Sequence, residues 1–230
     1  MAGGDNFMDK NIWIIANWKS NKTIAEALEW TSQVGPEIPR SENLKVVICP
    51  PFSCLSEVKK AVQVGGHPLL VGSQDLSSLD AGAYTGEVAA AILKDLVSLS
   101  IIGHSERREN FSETDQAIAK KVDQASKNNI TPLVCVQGSD TPVPEGVKLL
   151  AYEPVFAIGS GNPDTPENAN QVAKALKGLY GQDLEVLYGG SVTSENIKFF
   201  INQENLSGAL IGKASLDAEE FIKIVKELSS

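Results

Sequence analysis

Short apolar runs alternate with longer amphipathic segments along the 230-residue chain. The runs are apolar at consecutive positions, which is the pattern of parallel β-strands buried on both faces, and the segments between them repeat apolar residues at helical spacing. The pattern predicts eight strands, over residues 12–16, 44–49, 69–72, 99–102, 131–136, 147–152, 184–188 and 208–211. It also predicts seven helices, over residues 23–34, 53–64, 87–96, 114–128, 165–180, 194–201 and 217–228.

Eight strands with a helix after nearly every one predict the α/β class and a single (β/α)8 barrel. Residues 137–146 are the exception, because this stretch is short and contains two prolines, which predicts that the fifth helix is shortened to a loop or a single turn. No linker or repeat divides the chain, so we expect one barrel domain over residues 11–230. Residues 1–10 are polar and predict a flexible extension rather than a signal peptide or an anchor.

The composition argues against several classes of binding partner. The formal net charge of -9 and a pI near 4.8 argue against a nucleic acid or a membrane surface, because both require a basic face. No apolar run approaches the roughly 20 residues that cross a bilayer. Cys49, Cys54 and Cys135 have no metal-ligand spacing, and we expect them to be reduced thiols in the core of a cytoplasmic protein.

Polar residues follow several of the predicted strands. Asn17 and Lys19 come after the first strand, His104 after the fourth and Glu153 after the sixth. Catalytic groups of such barrels lie at the C-terminal ends of the strands, so we expect these four side chains to meet there. Lys19 and Glu153 also have a plain alternative as solvated surface residues. His67 precedes a strand, which predicts a structural role on the opposite face.

A loop with stiff edges follows Glu153. Pro154 and Pro163 restrict its two ends, whereas Gly159 and Gly161 permit backbone conformations that other residues avoid. Taken alone, the loop also fits an ordinary turn. With an acidic residue at the end of a buried strand, it predicts a catalytic base beneath a lid.

Glycines after the last two strands predict an anion site. The seventh strand is followed by Gly189, Gly190 and Ser191, and the eighth by Gly212 and Lys213. Glycine lets backbone N–H groups approach a ligand, and barrels commonly bind phosphate in these two loops. Gly159 in the loop after the sixth strand is a further candidate for this site.

These motifs, in this order, resemble those of the triosephosphate isomerase family. They are Asn17-x-Lys19, His104-Ser105-Glu106-Arg107, Tyr152-Glu153-Pro154, Ala157-Ile158-Gly159-x-Gly161 and Tyr188-Gly189-Gly190-Ser191. The resemblance covers the chain from Ile12 to its C-terminus, and five motifs in register are highly specific. It implies a single TIM barrel that interconverts dihydroxyacetone phosphate and D-glyceraldehyde 3-phosphate in glycolysis and gluconeogenesis.

The resemblance also implies roles for individual residues. Glu153 is the base that removes a carbon-bound proton, and His104 is the electrophile at the substrate oxygens. Lys19 balances the charge of the substrate, Asn17 contacts an oxygen, and Glu106 supports this network. Asn17 and Lys19 also belong to the substrate site with Gly159, Ser191, Gly212 and Lys213. No metal or cofactor is required, and the partner is a small phosphorylated substrate.

A long segment over residues 74–87 follows the third strand. By resemblance, it reaches into a neighbouring subunit and places Thr85 near that subunit's Asn17 and His104. This implies a homodimer, although relatives with a short fifth segment can be tetramers. Read without the resemblance, the segment is an exposed loop.

Three features depart from the family pattern. Phe156 and Gly138 stand where the family has a lid tryptophan and a glutamate that can contact each other, so that contact is absent here. Lys213 stands where the family usually has a second glycine. A positive φ would strain this lysine by about 1–2 kcal/mol, whereas an ordinary φ would leave its N–H available to phosphate. The shortened fifth segment is the third departure.

Two other functions remain open from the residues. One is an aldolase that forms a Schiff base on Lys19, which would require a buried lysine with a lowered pKa. The other is a barrel that only binds phosphorylated metabolites or partners, a reading that the departures at Phe156, Gly138 and Lys213 motivate. An assay of triose phosphate interconversion separates these alternatives.

Overall fold

The computed structural model describes residues 10–157 and 161–228. The strands are β1 Ile12–Asn17, β2 Leu44–Cys49, β3 Leu70–Ser73, β4 Leu99–Ile102, β5 Thr131–Val136, β6 Leu149–Tyr152, β7 Glu185–Tyr188 and β8 Gly208–Ile211. The helices are α1 Ile24–Val34, α2 Phe52–Gly65, α3 Ala90–Leu93, α4 Ser105–Phe111, α5 Asp115–Lys127, α6 Pro166–Tyr180, α7 Ile197–Ile201 and α8 Ala218–Lys226. Three 3₁₀ turns cover Gly35–Glu37, Val155–Ala157 and Lys213–Leu216.

The eight strands form a closed parallel barrel in sequence order, with β8 paired to β1. This confirms the predicted α/β class and the single (β/α)8 barrel. The closing pair places Gly208 opposite Trp13. A Cβ on Gly208 would lie 2.0 Å from the Trp13 carbonyl oxygen, and the residue has a φ of 148°, so only glycine fits at this seam.

The core has two layers, as expected for strands that are buried on both faces. Alternate strand residues fill the barrel interior, and the others pack outward against the helices. The interior layer consists of Trp13, Ile15, Val47, Cys49, Leu99, Ile101, Leu133, Cys135, Leu149, Ala151, Leu187 and Leu210. The three cysteines, all within the described residues, are buried and form no disulfide, as expected for thiols in the core.

Several helices differ from the sequence prediction. No helix lies between β5 and β6 within the described residues 137–148, so the shortened fifth segment is confirmed. Helix α4 was not predicted, because its seven residues are mostly charged and form no apolar stripe. The predicted helices over 87–96 and 194–201 are shorter in the structure, since α3 and α7 span only Ala90–Leu93 and Ile197–Ile201.

His67 is structural, as its position before β3 indicated. Its imidazole packs against Gly35 and Gly65, where an added Cβ would lie 2.4 Å and 2.2 Å from ring atoms. The ring therefore joins the end of α1 to the end of α2. Among the helices in the described part of the chain, none is long and apolar enough to span a membrane.

Candidate active site

The carboxyl ends of the strands surround a cavity of about 730 Å³. Four of the predicted residues line one side of it, namely Asn17, Lys19, His104 and Glu153. Three residues of the predicted anion site, Ser191, Gly212 and Lys213, also line it. The topology therefore brings together residues that are up to about 200 positions apart, as parallel strands of one barrel do.

Glu153 is the most deeply buried charged group of the site, with 1% of its surface exposed. Its position is fixed by the backbone, because its N–H extends the β5–β6 ladder by donating to the Val136 carbonyl at 2.8 Å. Its Oε2 accepts a hydrogen bond of 2.9 Å from the Ser105 backbone N–H, and its Oε1 lies 3.0 Å from His104 Nε2. A Cβ on Gly189 would lie 2.8 Å from Glu153 Cγ, so glycine is required beside the carboxylate.

His104 caps the N-terminus of α4 with its own side chain. Its Nδ1 accepts a hydrogen bond of 3.2 Å from the Glu106 backbone N–H. An imidazole that accepts at Nδ1 is neutral and carries its proton on Nε2. The Nε2–H therefore points toward Glu153 and the cavity, where it can donate to a substrate oxygen.

Lys19 has an unusual backbone conformation, with a φ of 51°. Non-glycine residues in this region cost about 1–3 kcal/mol and persist only where the surroundings hold them. Here the Lys19 N–H donates to Asn17 Oδ1 at 3.1 Å, and its carbonyl accepts from Gln74 Nε2 at 2.8 Å. The ammonium group forms an ion pair of 2.5 Å with Glu106, which fixes the cation at the cavity wall.

Ser191 contacts two residues of the β6–α6 loop, Ala157 and Gly161. Its hydroxyl donates to the Ala157 carbonyl at 2.8 Å and accepts from the Gly161 N–H at 3.2 Å. Gly212 lies beneath the Lys19 side chain, so the glycine loop and the cation border the same space. Gly159, the remaining candidate for the anion site, lies outside the described residues.

Lys213 begins the 3₁₀ turn after β8 and is exposed. Among the described non-glycine residues, positive φ angles occur at Lys19, Lys22, Ser112 and Asn129. Lys213 is not one of them, so its backbone is unstrained. Of the two accounts that the sequence left open, strain at Lys213 is therefore excluded.

Three functional contacts were missed by sequence reasoning. Ser105 holds Glu153 through its backbone, and a backbone donor has no side-chain signature. Gln74 directly follows β3 and contacts two carbonyls, those of Lys19 and Cys49, so its strand-end position was an available signal. Cys135 lies beside Glu153. Burial and, to a smaller extent, the Glu153 carboxylate raise the pKa of the Cys135 thiol well above its ordinary value.

The departure at Phe156 has a clear structural form. The side chain is 64% exposed and carries no donor, so it cannot make the indole contact that the family pattern implies. Tyr152, four residues earlier, directs its hydroxyl to Asp164 at 3.1 Å. The beginning of the loop therefore lacks the indole contact, while Glu153 and His104 keep the contacts described above.

Comparison with known proteins gives a consistent result. A family model described as triosephosphate isomerase matches residues 12–228. The triosephosphate isomerase of Alkaliphilus oremlandii is 38% identical over 245 residues, covering 92% of this chain and 97% of that protein. The triosephosphate isomerase of Leifsonia xyli subsp. xyli is 40% identical over 250 residues, covering 93% of this chain and 95% of that protein. The chain belongs to the triosephosphate isomerase family.

Proposed function

We propose that this chain interconverts dihydroxyacetone phosphate and D-glyceraldehyde 3-phosphate through an enediolate, with Glu153 as the base. Family membership supports an isomerase of triose phosphates. The observation that carries the residue assignment is the buried Glu153 carboxylate beside the His104 Nε2–H at the wall of one cavity. Proton abstraction next to a carbonyl requires one base and one donor at the developing oxyanion, and this pair supplies both.

In this reaction, Glu153 takes a proton from one carbon of the substrate and returns it to the neighbouring carbon. His104 donates from Nε2 to the oxygen that becomes negative, which a neutral imidazole can do without a prior protonation step. Lys19 stabilises the anionic substrate, and Asn17 contacts one of its oxygens. Glu106 holds the ammonium of Lys19 in place.

The phosphate group is bound by the loops after β6, β7 and β8. Ser191 and Gly212 line the cavity, and Gly212 lies against the Lys19 side chain. By the resemblance, Gly159 also belongs to the phosphate site. The chain is strongly acidic overall, so binding relies on backbone N–H groups and the local charge of Lys19. Lys213 contributes its backbone, while its side chain extends toward solvent.

We also propose that the protein is a homodimer, with a tetramer as the other possible assembly, and that it acts in the cytoplasm in glycolysis and gluconeogenesis. The segment after β3 supports the dimer, because residues 80–87 are all exposed and Tyr84 presents an aromatic ring to solvent. A second copy of the chain would cover this segment and bring Thr85 to the partner's site. Sedimentation of the intact protein tests this, and a fully active monomer would contradict it.

A coupled assay tests the proposed reaction in both directions. Each triose phosphate is supplied in turn, and formation of the other is followed with a dehydrogenase specific for the product. Turnover in both directions that falls by several orders of magnitude in Glu153→Gln supports the proposal. Turnover that survives this substitution would contradict the assignment of the base.

A trapping experiment tests an aldolase mechanism through Lys19. This mechanism requires a neutral lysine amine, whereas the Lys19 ammonium is paired with Glu106 at 2.5 Å. Borohydride added during turnover should therefore leave no covalent adduct on Lys19. Tight binding of substrate without any turnover would favour a barrel that only binds phosphorylated metabolites.

A further inference from the structure

Asp164 lies at the end of the β6–α6 loop and is almost fully buried. Its Oδ2 accepts hydrogen bonds from Tyr152 Oη at 3.1 Å and from Asn168 Nδ2 at 2.7 Å. Its Oδ1 accepts from the Thr165 N–H at 2.8 Å. The carboxylate thus has three donors, two of which belong to the start of α6 and one to the end of β6.

The backbone of the same residue binds a second tyrosine. The Asp164 N–H donates to Tyr188 Oη at 2.7 Å, and a Cβ on Gly190 would lie 2.1 Å from this hydroxyl. Burial raises the pKa of Tyr188 to about 12, and burial followed by the Asp164 carboxylate raises the pKa of Tyr152. Both hydroxyls are therefore protonated at neutral pH, and Tyr152 is a donor to Asp164.

The two tyrosines are the last residues of β6 and β7. Tyr152 directly precedes Glu153, and its carbonyl accepts a hydrogen bond of 2.7 Å from the Gly189 N–H. Gly189 follows Tyr188 and lies against the Glu153 side chain. A shift of either tyrosine would therefore move the carboxylate or the glycine loop that borders it.

We propose that Asp164 is a positioning residue for the isomerisation, because it joins the end of the β6–α6 loop to the two strand ends that carry Glu153 and the anion-binding loop. We call Tyr152, Asp164 and Tyr188 the aspartate–tyrosine clamp. This inference rests on the proposed function. Thr165 already caps α6 by accepting from the Asn168 N–H, so the carboxylate is not needed as the cap.

We expect that loss of the aspartate–tyrosine clamp increases one side reaction, the release of phosphate from the enediolate. An enediolate that is poorly held can lose its phosphate, and active sites that exclude water suppress such side reactions. In that loss, the enediolate oxygen becomes a carbonyl and the carbon–carbon double bond moves by one position. The carbon–oxygen bond to phosphate then breaks with its electron pair, so neither an oxidant nor a reductant is consumed. The fraction of turnovers that release inorganic phosphate reports how well the intermediate is held.

The experiment compares the wild type, Asp164→Ala, Tyr152→Phe and the double variant, with dihydroxyacetone phosphate as the substrate. We expect each single variant to lower kcat, by up to about a hundredfold, and to leave KM nearly unchanged, since misplacement of a reacting group has effects of this size. The fraction of turnovers ending in phosphate release should rise in both. The double variant should resemble the more affected single variant, because both substitutions remove the same hydrogen bond.

Asp183→Ala is the matched control, because it removes an exposed aspartate that pairs with Lys148 at 2.5 Å, far from the clamp. It should leave the phosphate-release fraction unchanged. A purely structural role would reduce the amount of folded enzyme without changing this fraction, and that result would overturn the proposal. Additive effects in the double variant would also overturn it. If Asp164→Ala fails to fold, Tyr152→Phe still tests the clamp, and absence of isomerisation in the wild type would instead refute the proposed function.

Discussion

Two clusters of charged side chains share α4, because Glu106 belongs to one and its neighbour Arg107 to the other. The site cluster consists of Lys19, Glu106, His104 and Glu153. The buried cluster consists of Asp75, Arg107, Glu113 and Lys121. Both combine two carboxylates with cationic or hydrogen-bond-donating groups. Only the first has members that line the cavity, namely Lys19, His104 and Glu153.

The clusters differ in what their donors bind. In the buried cluster, Lys121 binds Asp75 at 2.6 Å and also Glu113, and Arg107 Nε lies 2.9 Å from Asp75 and 3.2 Å from Glu113. These charges neutralise one another, although burial still raises the pKa of Asp75. In the site cluster, the His104 Nε2–H faces the cavity and can exchange Glu153 for a substrate oxygen. Charge pairs that close on themselves serve stability, whereas pairs bordering a cavity are available for chemistry.

The largest expected effect is that of Glu153→Gln on catalysis. Glutamine keeps the shape of the side chain but cannot take a proton, so kcat should fall toward the upper part of the roughly 10²–10⁴-fold range for general bases. Binding of a phosphate-bearing substrate analogue should be nearly unchanged, because the anion site is intact. Steady-state kinetics and calorimetric titration measure the two quantities. A variant that loses binding along with turnover would show that Glu153 acts mainly in the anion site.

Lys121→Met should affect stability instead. Removing one partner of a buried charge pair typically costs about 3–5 kcal/mol, because the remaining charges are left uncompensated. Asp75 and Glu113 would keep only Arg107, which is partly exposed. Urea unfolding measures the loss, and kcat of the folded fraction should change little, since Lys121 does not line the cavity.

Lys148→Met provides the control for that experiment. Lys148 pairs with Asp183, and both side chains are mostly exposed to water. Exposed pairs contribute little to stability, so this variant should unfold close to the wild type. Equal losses in the two variants would remove the distinction between buried and exposed pairs on which the prediction depends.

The third effect is that of His104→Ala. Loss of one donor to a developing oxyanion typically costs about 2.7–4 kcal/mol in the transition state, which lowers kcat about 10²–10³-fold. His104 also caps α4 through Nδ1, so a modest loss of stability should accompany the loss of rate. His104→Asn, which keeps a short side chain able to cap, separates the two. If its stability returns while kcat stays low, the Nε2–H is the catalytic group.

Much of this comparison was accessible from the sequence. Consecutive apolar residues predicted all eight strands. Because the C-terminal ends of parallel strands lie at one end of the barrel, the residues that follow them, Lys19, His104 and Glu153, could be placed together. The buried cluster was not foreseen. Arg107 and Lys121 lie in charged helical stretches that have the composition of a solvated surface, and only the packing of α4 and α5 buries them. Asp164 was missed because it lies between Pro163 and Pro166, in a stretch with no strand or helix pattern.

A smaller effect is expected from Lys10, on the pH dependence of the free energy of unfolding. Among the described residues, no carboxylate lies within hydrogen-bonding distance of the Lys10 ammonium. Its ammonium donates to the Gln203 carbonyl at 2.9 Å, and burial, followed by the charge of Lys177, lowers its pKa to about 8. Between about pH 8 and its ordinary value of 10.5, the unfolded chain keeps a proton that the folded protein has lost. The free energy of unfolding should therefore rise with pH in this window relative to Lys10→Met. Urea unfolding at both ends of the window checks this, and parallel curves for the two proteins would contradict it.

The smallest expected effect is that of Lys213→Gly. This variant tests whether a cation that lines the cavity but lies outside the site cluster contributes to substrate binding. Lys213 is exposed, and within the described residues it forms no ion pair, so its charge is screened by water. We expect KM to change less than tenfold. The φ of Lys213 is not positive, so glycine only adds freedom to the unfolded chain and should destabilise by about 0.4–1 kcal/mol. Lys213→Gln removes the charge without this backbone effect and should match the wild type in both KM and thermal midpoint. A tenfold rise in KM in both variants, roughly 1.4 kcal/mol, would show that the ammonium binds the phosphate group and that exposure does not exclude Lys213 from the site.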